Sequence, residues 1–279
     1  MSGGKPKNLL QRTITAAFLI VLVALLIYFG GWAMVAGVVT AGGIAMYEEF
    51  KALRNKHYIV SWPTWVGLIV GAPLTLLLGT RVILSVMFGI TLVTMLCVVF
   101  RKDASLEDMV LGLLPLVSVA LPHFCIVAVA LVEPKGLQVV LLTLIFTVPV
   151  LGDTAAYFGG SRIGGPKLCP AISPNKTIAG AVAGLLGSVA SAMLVCLLAH
   201  FFLSPSTKAL APTWWGYLLL GLFGGVAGQL GDLFASMVKR HAGIKDFSNL
   251  FPGHGGMLDR MDSILFMAVV ICCYRLFIL

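Results

Sequence analysis

The sequence predicts an all-α, polytopic integral membrane protein with about nine transmembrane helices and a cytoplasmic N-terminus. Three observations carry that expectation. Apolar residues make up 59% of the 279 and charged residues only 11%, where soluble domains carry about 25% charged residues. The mean hydropathy is +1.02. The apolar residues run continuously, as in 14–29 and 82–100, rather than alternating as in barrel strands. A chain with so little polar surface cannot cover itself in water. Inside lipid, a backbone in continuous apolar runs must satisfy its own hydrogen bonds as helix. A soluble domain, a disordered chain and a nucleic-acid-binding domain are excluded.

At about 20 apolar residues per crossing, the spans fall near 13–29, 31–47, 61–79, 82–100, 109–132, 137–158, 178–203, 213–236 and 263–279. They form a single membrane domain over 1–279. Its amino-terminal part, 1–135, holds about five spans, and 136–279 holds the catalytic helices and their cytoplasmic loops. Lys5, Lys7 and Arg12 before the first apolar run resemble a secretory signal. Eight further spans make a retained signal-anchor the better reading.

Orientation follows from the basic residues, which concentrate on the cytoplasmic side of membrane proteins. With the N-terminus in the cytoplasm, 15 of the 19 lysines and arginines fall on that side and 4 on the other. Omitting one early span would spoil the asymmetry. Two long polar stretches, 161–177 and 239–262, are then cytoplasmic. The six cysteines have no metal-ligand spacing and read as small core residues. Glycines 180 and 184, and 221, 224, 228 and 231, recur at helical spacing, as close helix packing requires.

Acids at the ends of apolar spans are costly and so point to function. Asp153 and Asp232 are two of these. On a helix, Asp232, Ser236, Lys239 and Arg240 share one face. Lys245 and Asp246 follow, then Pro252-Gly253-His254-Gly255-Gly256, whose glycines let backbone N–H groups approach a ligand. Asp259, Arg260 and Asp262 open the last span. Two acids in a first turn suit the helix dipole. With Asp232 they also form an oxygen cage for a hard divalent cation, with Asp246 and Asp153 as alternative ligands. Upstream lie Asp153, Tyr157 and the run Ser173-Pro174-Asn175-Lys176-Thr177. That run reads either as a plain Ser-Pro helix start or as donors to phosphate oxygens at a helix N-terminus. Acids for a metal, bases for anions and a glycine-rich turn suit phosphoryl chemistry. There is no Ser/His/Asp arrangement, no Walker A pattern and no GxGxxG.

The run from Ser236 through Lys239, Arg240, Lys245, Asp246, His254, Gly255, Gly256, Asp259 and Arg260 to Asp262 resembles the signature of the phosphatidate cytidylyltransferases, or CDP-diacylglycerol synthases. The Asp153-to-Tyr157 and Ser173-to-Thr177 segments resemble a second region of that family, departing from it at Asn175, where lysine is more common. The resemblance implies Mg²⁺-dependent transfer of the cytidylyl group of CTP to phosphatidic acid, giving CDP-diacylglycerol and pyrophosphate for phospholipid synthesis. It implies Asp232, Asp246, Lys239, Arg240, His254, Asp259 and Asp262 as the reacting set. Lys176, Ser173, Thr177, Asp153, Tyr157, Ser236, Lys245, Gly255, Gly256 and Arg260 would be the substrate contacts. Asp232, Asp259 and Asp262 are the metal ligands expected, for one Mg²⁺ ion or two. CTP and membrane phosphatidic acid are the expected partners, nucleic acid is not, and a homodimer is left open. The expected location is the inner membrane with the active site on its cytoplasmic face. A CTP-dependent lipid kinase of the dolichol kinase type and an ion-coupled secondary transporter are the alternative readings.

Overall fold

The computed structural model describes residues 5–54, 58–251 and 255–278. The chain is almost wholly helical. Helices α1 (Lys5–Phe29), α2 (Gly31–Leu53), α3 (Trp62–Leu78) and α4 (Arg81–Val99) come first. Next, α5 (Leu106–Pro115), a π-helical turn (Leu116–Ala120) and α6 (Leu121–Val129) make one broken rod. Then come α7 (Lys135–Ile163), strands β1 (Lys167–Cys169) and β2 (Ser173–Thr177), α8 (Ile178–Phe202), α9 (Pro205–Leu210), α10 (Trp214–Ala242) and α11 (Leu258–Ile278). By length and composition, α4, the α5–α6 rod, α7, α8 and α10 are long and apolar enough to cross a membrane. The outward surface agrees: large apolar side chains such as Phe100 (84% exposed) and Phe202 (82%) face away from the protein, a pattern a water-soluble monomer avoids.

Several helices outrun the hydropathy. The sequence places span ends near 47, 158 and 236, but α2, α7 and α10 continue to Leu53, Ile163 and Ala242. The last span was expected to begin near 263, and α11 begins at Leu258. Lipid solvation ends where polarity begins, but backbone hydrogen bonding does not. The short β1–β2 hairpin was not anticipated. It is antiparallel, with Lys167 opposite Thr177 and Cys169 opposite Ser173, and it gives the polar 161–177 stretch local partners for its backbone groups.

The core lies where α2, α6, α7 and α11 meet. Met46, Phe124, Leu141, Leu144, Ile145, Met267 and Ile271 are fully buried there. The carboxyl half is held by small residues. A Cβ on Gly184 of α8 would lie 3.2 Å from the Gly152 carbonyl of α7. One on Gly221 of α10 would lie 2.8 Å from Val189 Cα, and one on Gly231 would lie 2.5 Å from the Asp262 carbonyl of α11. Backbones approach this closely only where side chains are absent.

This packing makes a comparison between two glycines. Gly221→Ala should lower the melting temperature in detergent, since forcing an added methyl into a packed seam costs about 1–3 kcal/mol. Gly89→Ala meets nothing within 4 Å and should hold or raise it, through better helix propensity. Equal melting temperatures would show slack in the α8–α10 seam.

Candidate active site

The C-terminal ends of α7 and α10 and the N-terminal ends of α8 and α11 meet at one end of the bundle. Between them opens a pocket of ≈ 640 Å³. Both polar stretches reach it. Asp153 and Tyr157 of α7 line it with Asn175, Lys176 and Thr177 of the first, and Asp232 of α10 lines it with Lys239, Asp246, Asp259, Arg260 and Asp262 of the second. Thr177 also caps α8, its hydroxyl accepting the Gly180 N–H at 3.0 Å, so the positive end of that helix lies at the pocket wall.

Two ion pairs organise the charges. The Lys176 ammonium lies 2.5 Å from Asp232 Oδ2. The Lys239 ammonium lies 2.6 Å from Asp259 Oδ1, with the two side chains 11% and 4% exposed. Asp153, Asp232 and Asp262 stand within electrostatic reach of one another. Five carboxylates and three cationic side chains line the pocket.

The structure does not bring all the expected residues together. Among the described residues, no three Asp, Glu, His or Cys side chains are grouped closely enough to hold one metal ion. The expected cage of Asp232, Asp259 and Asp262 is therefore not assembled. Asp259 is committed elsewhere. Besides Lys239, its Oδ2 accepts the Phe247 N–H at 2.9 Å and the Gly256 N–H at 3.0 Å. It clasps the α10–α11 loop onto α11. The helical face Asp232-Ser236-Lys239-Arg240 also divides. Asp232 and Lys239 reach the pocket, while Ser236 is buried and outside its lining. Arg240 points to the hairpin, its Nε donating to the Ile172 carbonyl at 3.2 Å. Ser173 and Lys245 are outside the lining as well. Gly255 has φ of 85°, a left-handed backbone that glycine adopts without penalty. His254 lies outside the described residues.

Sequence reasoning missed two buried acids on α2. Glu48 accepts hydrogen bonds from the Ser248 hydroxyl (2.5 Å), the Met257 N–H (3.0 Å) and the Leu258 N–H (2.8 Å). Glu49 accepts from the Ser118 hydroxyl of the π turn at 2.7 Å. Glu49, Ser118 and Asp262 line a second, water-sized space of ≈ 10 Å³ under the pocket. The signal was present: two adjacent acids directly after an apolar run. Gln229 was missed too; it lines the pocket and donates to the Ala181 carbonyl at 2.9 Å.

The Lys239–Asp259 pair generates a test. Removing one partner of a buried pair leaves a charge unpaired, at a cost of about 3–5 kcal/mol. Lys239→Ala should therefore lower folding stability by an amount of that order in denaturant titrations. The double variant Lys239→Ala/Asp259→Asn should recover part of the loss. Additive losses would mean the two side chains do not depend on each other.

The chain matches the Cytidylyltransferase family over residues 10–278. A Brucella suis (biovar 1, strain 1330) protein named phosphatidate cytidylyltransferase is 34% identical over 269 residues, covering 95% of this chain and 92% of the relative. A Bacillus subtilis (strain 168) protein of the same name is 30% identical over 275 residues, covering 92% and 94%. Over the 154 residues that align, a Staphylococcus haemolyticus (strain JCSC1435) protein of that name is 40% identical, covering 52% of this chain and 55% of the relative. With nearly the whole chain matched to the family and to relatives at 30–34% identity, the protein belongs to the cytidylyltransferase family.

Proposed function

We propose that the protein transfers the cytidylyl group of CTP to phosphatidic acid, forming CDP-diacylglycerol and pyrophosphate at the cytoplasmic face of the inner membrane. The observation that carries this reading is the pocket itself. Residues from two distant polar stretches, both signature segments, converge on one space at one end of the helices. A transporter site would lie nearer the midplane. The nine-span arrangement with a cytoplasmic N-terminus belongs to this proposal. The 15-to-4 division of basic residues supports it, and it puts the pocket on the side where CTP is made.

The reaction needs one bond made and one broken. An oxygen of the lipid phosphate attacks the α-phosphorus of CTP, and the bond from that phosphorus to the β-phosphate oxygen breaks. Pyrophosphate carries away the displaced electron pair. The protein's work is positioning and charge compensation. Lys176, Arg260 and the N-terminus of α8 face the pocket as anion partners. On substrate binding the Lys176 ammonium exchanges Asp232 for a phosphate oxygen, so its charge stays compensated. Lys239 remains with Asp259 and holds the loop.

The donor set fits Mg²⁺. Five carboxylates against three cations leave the pocket acidic, which no triphosphate would enter without a divalent ion. Mg²⁺ keeps several waters and takes one or two carboxylates. Asp232 and Asp262, with Asp153 nearby, suffice without Asp259. When bound, the ion neutralises charge between the two phosphates and aligns them.

Membrane vesicles test the reaction and its sidedness together. Inside-out vesicles given CTP labelled at the α-phosphate, phosphatidic acid and Mg²⁺ should form labelled CDP-diacylglycerol, and sealed right-side-out vesicles should not. Label that enters only from the γ-position would indicate a lipid kinase, and product from intact right-side-out vesicles would reverse the topology.

The two acids of α11 should separate by metal dependence. Asp262→Asn should raise the Mg²⁺ concentration for half-maximal rate at least about tenfold. Asp259→Asn should lower the rate without moving that midpoint. A shift with Asp259→Asn alone would return Asp259 to the metal.

A further inference from the structure

We infer that Glu48 is a positioning residue of this active site: from α2 it docks the α10–α11 loop and the start of α11, and so holds the pocket's acids in place. The reaction readout of this inference rests on the function proposed above; its structural readout does not.

Glu48 lies far from the signature in sequence and outside the pocket lining, yet it is only 3% exposed. A carboxylate so removed from water must be fully hydrogen-bonded. All three donors that the structure gives it come from one region, about 200 residues away. Oε1 takes the Ser248 hydroxyl and the Met257 N–H, and Oε2 takes the Leu258 N–H. Leu258 is the first residue of α11. The N–H groups at a helix start have no partner within the helix, and a neighbouring carboxylate satisfies them while suiting the helix dipole. Here that carboxylate belongs to another helix, so the cap is also a tether.

Three further features bind the contact to the site. First, Gly256 lets the carboxylate in. A Cβ there would lie 2.6 Å from both Glu48 oxygens. Second, Glu48 and Asp259 hold adjacent residues of the same loop and helix start. Asp259 takes the amides of Phe247 and Gly256, and Glu48 takes Ser248, Met257 and Leu258. Third, the segment so held carries Asp246, Asp259, Arg260 and Asp262, all of which line the pocket. If the loop lifts, Glu48 loses all its donors together. The buried carboxylate therefore favours the seated loop, in which its donors are in place and the pocket's acids in register.

The experiment uses the full-length protein in detergent. The probe is a cysteine at the exposed loop position Asn249, whose rate of reaction with a maleimide is read against the parent's own cysteines. Glu48→Gln keeps the size but sets an amide N–H₂ against a backbone N–H donor. It should lower kcat per folded molecule at least tenfold, leave KM for CTP within about threefold, and raise the labelling rate at Asn249→Cys at least fivefold. A purely structural role would lower the melting temperature and leave kcat per folded molecule unchanged. A kcat within threefold of the parent overturns the inference, as does a lower kcat with unchanged labelling. Should Glu48→Gln fail to fold, Ser248→Ala removes one donor and must raise labelling at least twofold; an unchanged rate is equally fatal. A parent protein that makes no CDP-diacylglycerol but passes the labelling test would sink the proposed reaction and leave the docking role standing.

Discussion

The Lys239–Asp259 ion pair is the contact on which the rest of the site depends. At 2.6 Å and nearly sealed from solvent, it joins the last turn of α10 to the first turn of α11. The loop between them must fold back over the same point, because Asp259 spends its second oxygen on two loop amides. A buried ion pair adds little net stability against an apolar substitute. Its value here is specificity. One carboxylate with three donors fixes helix, helix and loop relative to one another. The ring of Phe247 shields the pair, with Lys239 Nζ 5.4 Å from its centroid.

That local geometry reaches a pocket only because the helices come unusually close. Gly152, Gly221 and Gly231 are points where a single Cβ would collide with the neighbouring helix, and at Gly184 it would be tightly crowded. In lipid there is no hydrophobic gain from bringing apolar helices together, so tight backbone contact supplies the attraction. The consequence is chemical as well as structural. Gly231 immediately precedes Asp232 and sits against the Asp262 carbonyl, so the seam that packs α10 on α11 also sets the spacing of two acids. A bulkier residue there would separate the carboxylates along with the helices.

Much of the architecture was legible in the sequence, and the unread part has a common cause. The apolar runs locate the helices because lipid selects for them residue by residue. Motif spacing located Asp232, Lys239, Asp259 and Asp262 because those positions recur at the helical period. Hydropathy fails one or two turns beyond each apolar run, where polar residues return but the helix persists: Glu48 and Glu49 on α2, Ser161 on α7, Lys239 on α10, Asp259 on α11. Lys239 and Asp259, in two of those extensions, line the pocket. Pairings were not legible either. Spacing alone cannot distinguish an acid that meets a metal from one that clasps a loop, and nothing in it shows the bonds Asp259 makes to Lys239, Phe247 and Gly256. Nor does any local pattern connect Glu48 to Leu258 across 210 residues.

The charge balance explains why such constraint is needed. Five carboxylates and three cations crowd one pocket at the end of a bundle. Left to relax, like charges would turn apart toward water, since repulsion between neighbouring acids is poorly screened where solvent is scarce. Lys239 offsets that repulsion at Asp259, and Lys176 offsets part of it at Asp232. The two pairings differ in kind. The first is buried and closed on all sides by loop amides, so breaking it would unseat the loop. The second is about a third exposed on each side chain, where an ion pair is weak and an incoming phosphate can take the lysine at little cost. On the function proposed above, a pocket that receives several negative charges needs one rigid pair to keep its shape and one loose pair to give up its cation, and the difference in burial between Lys239–Asp259 and Lys176–Asp232 fits that division.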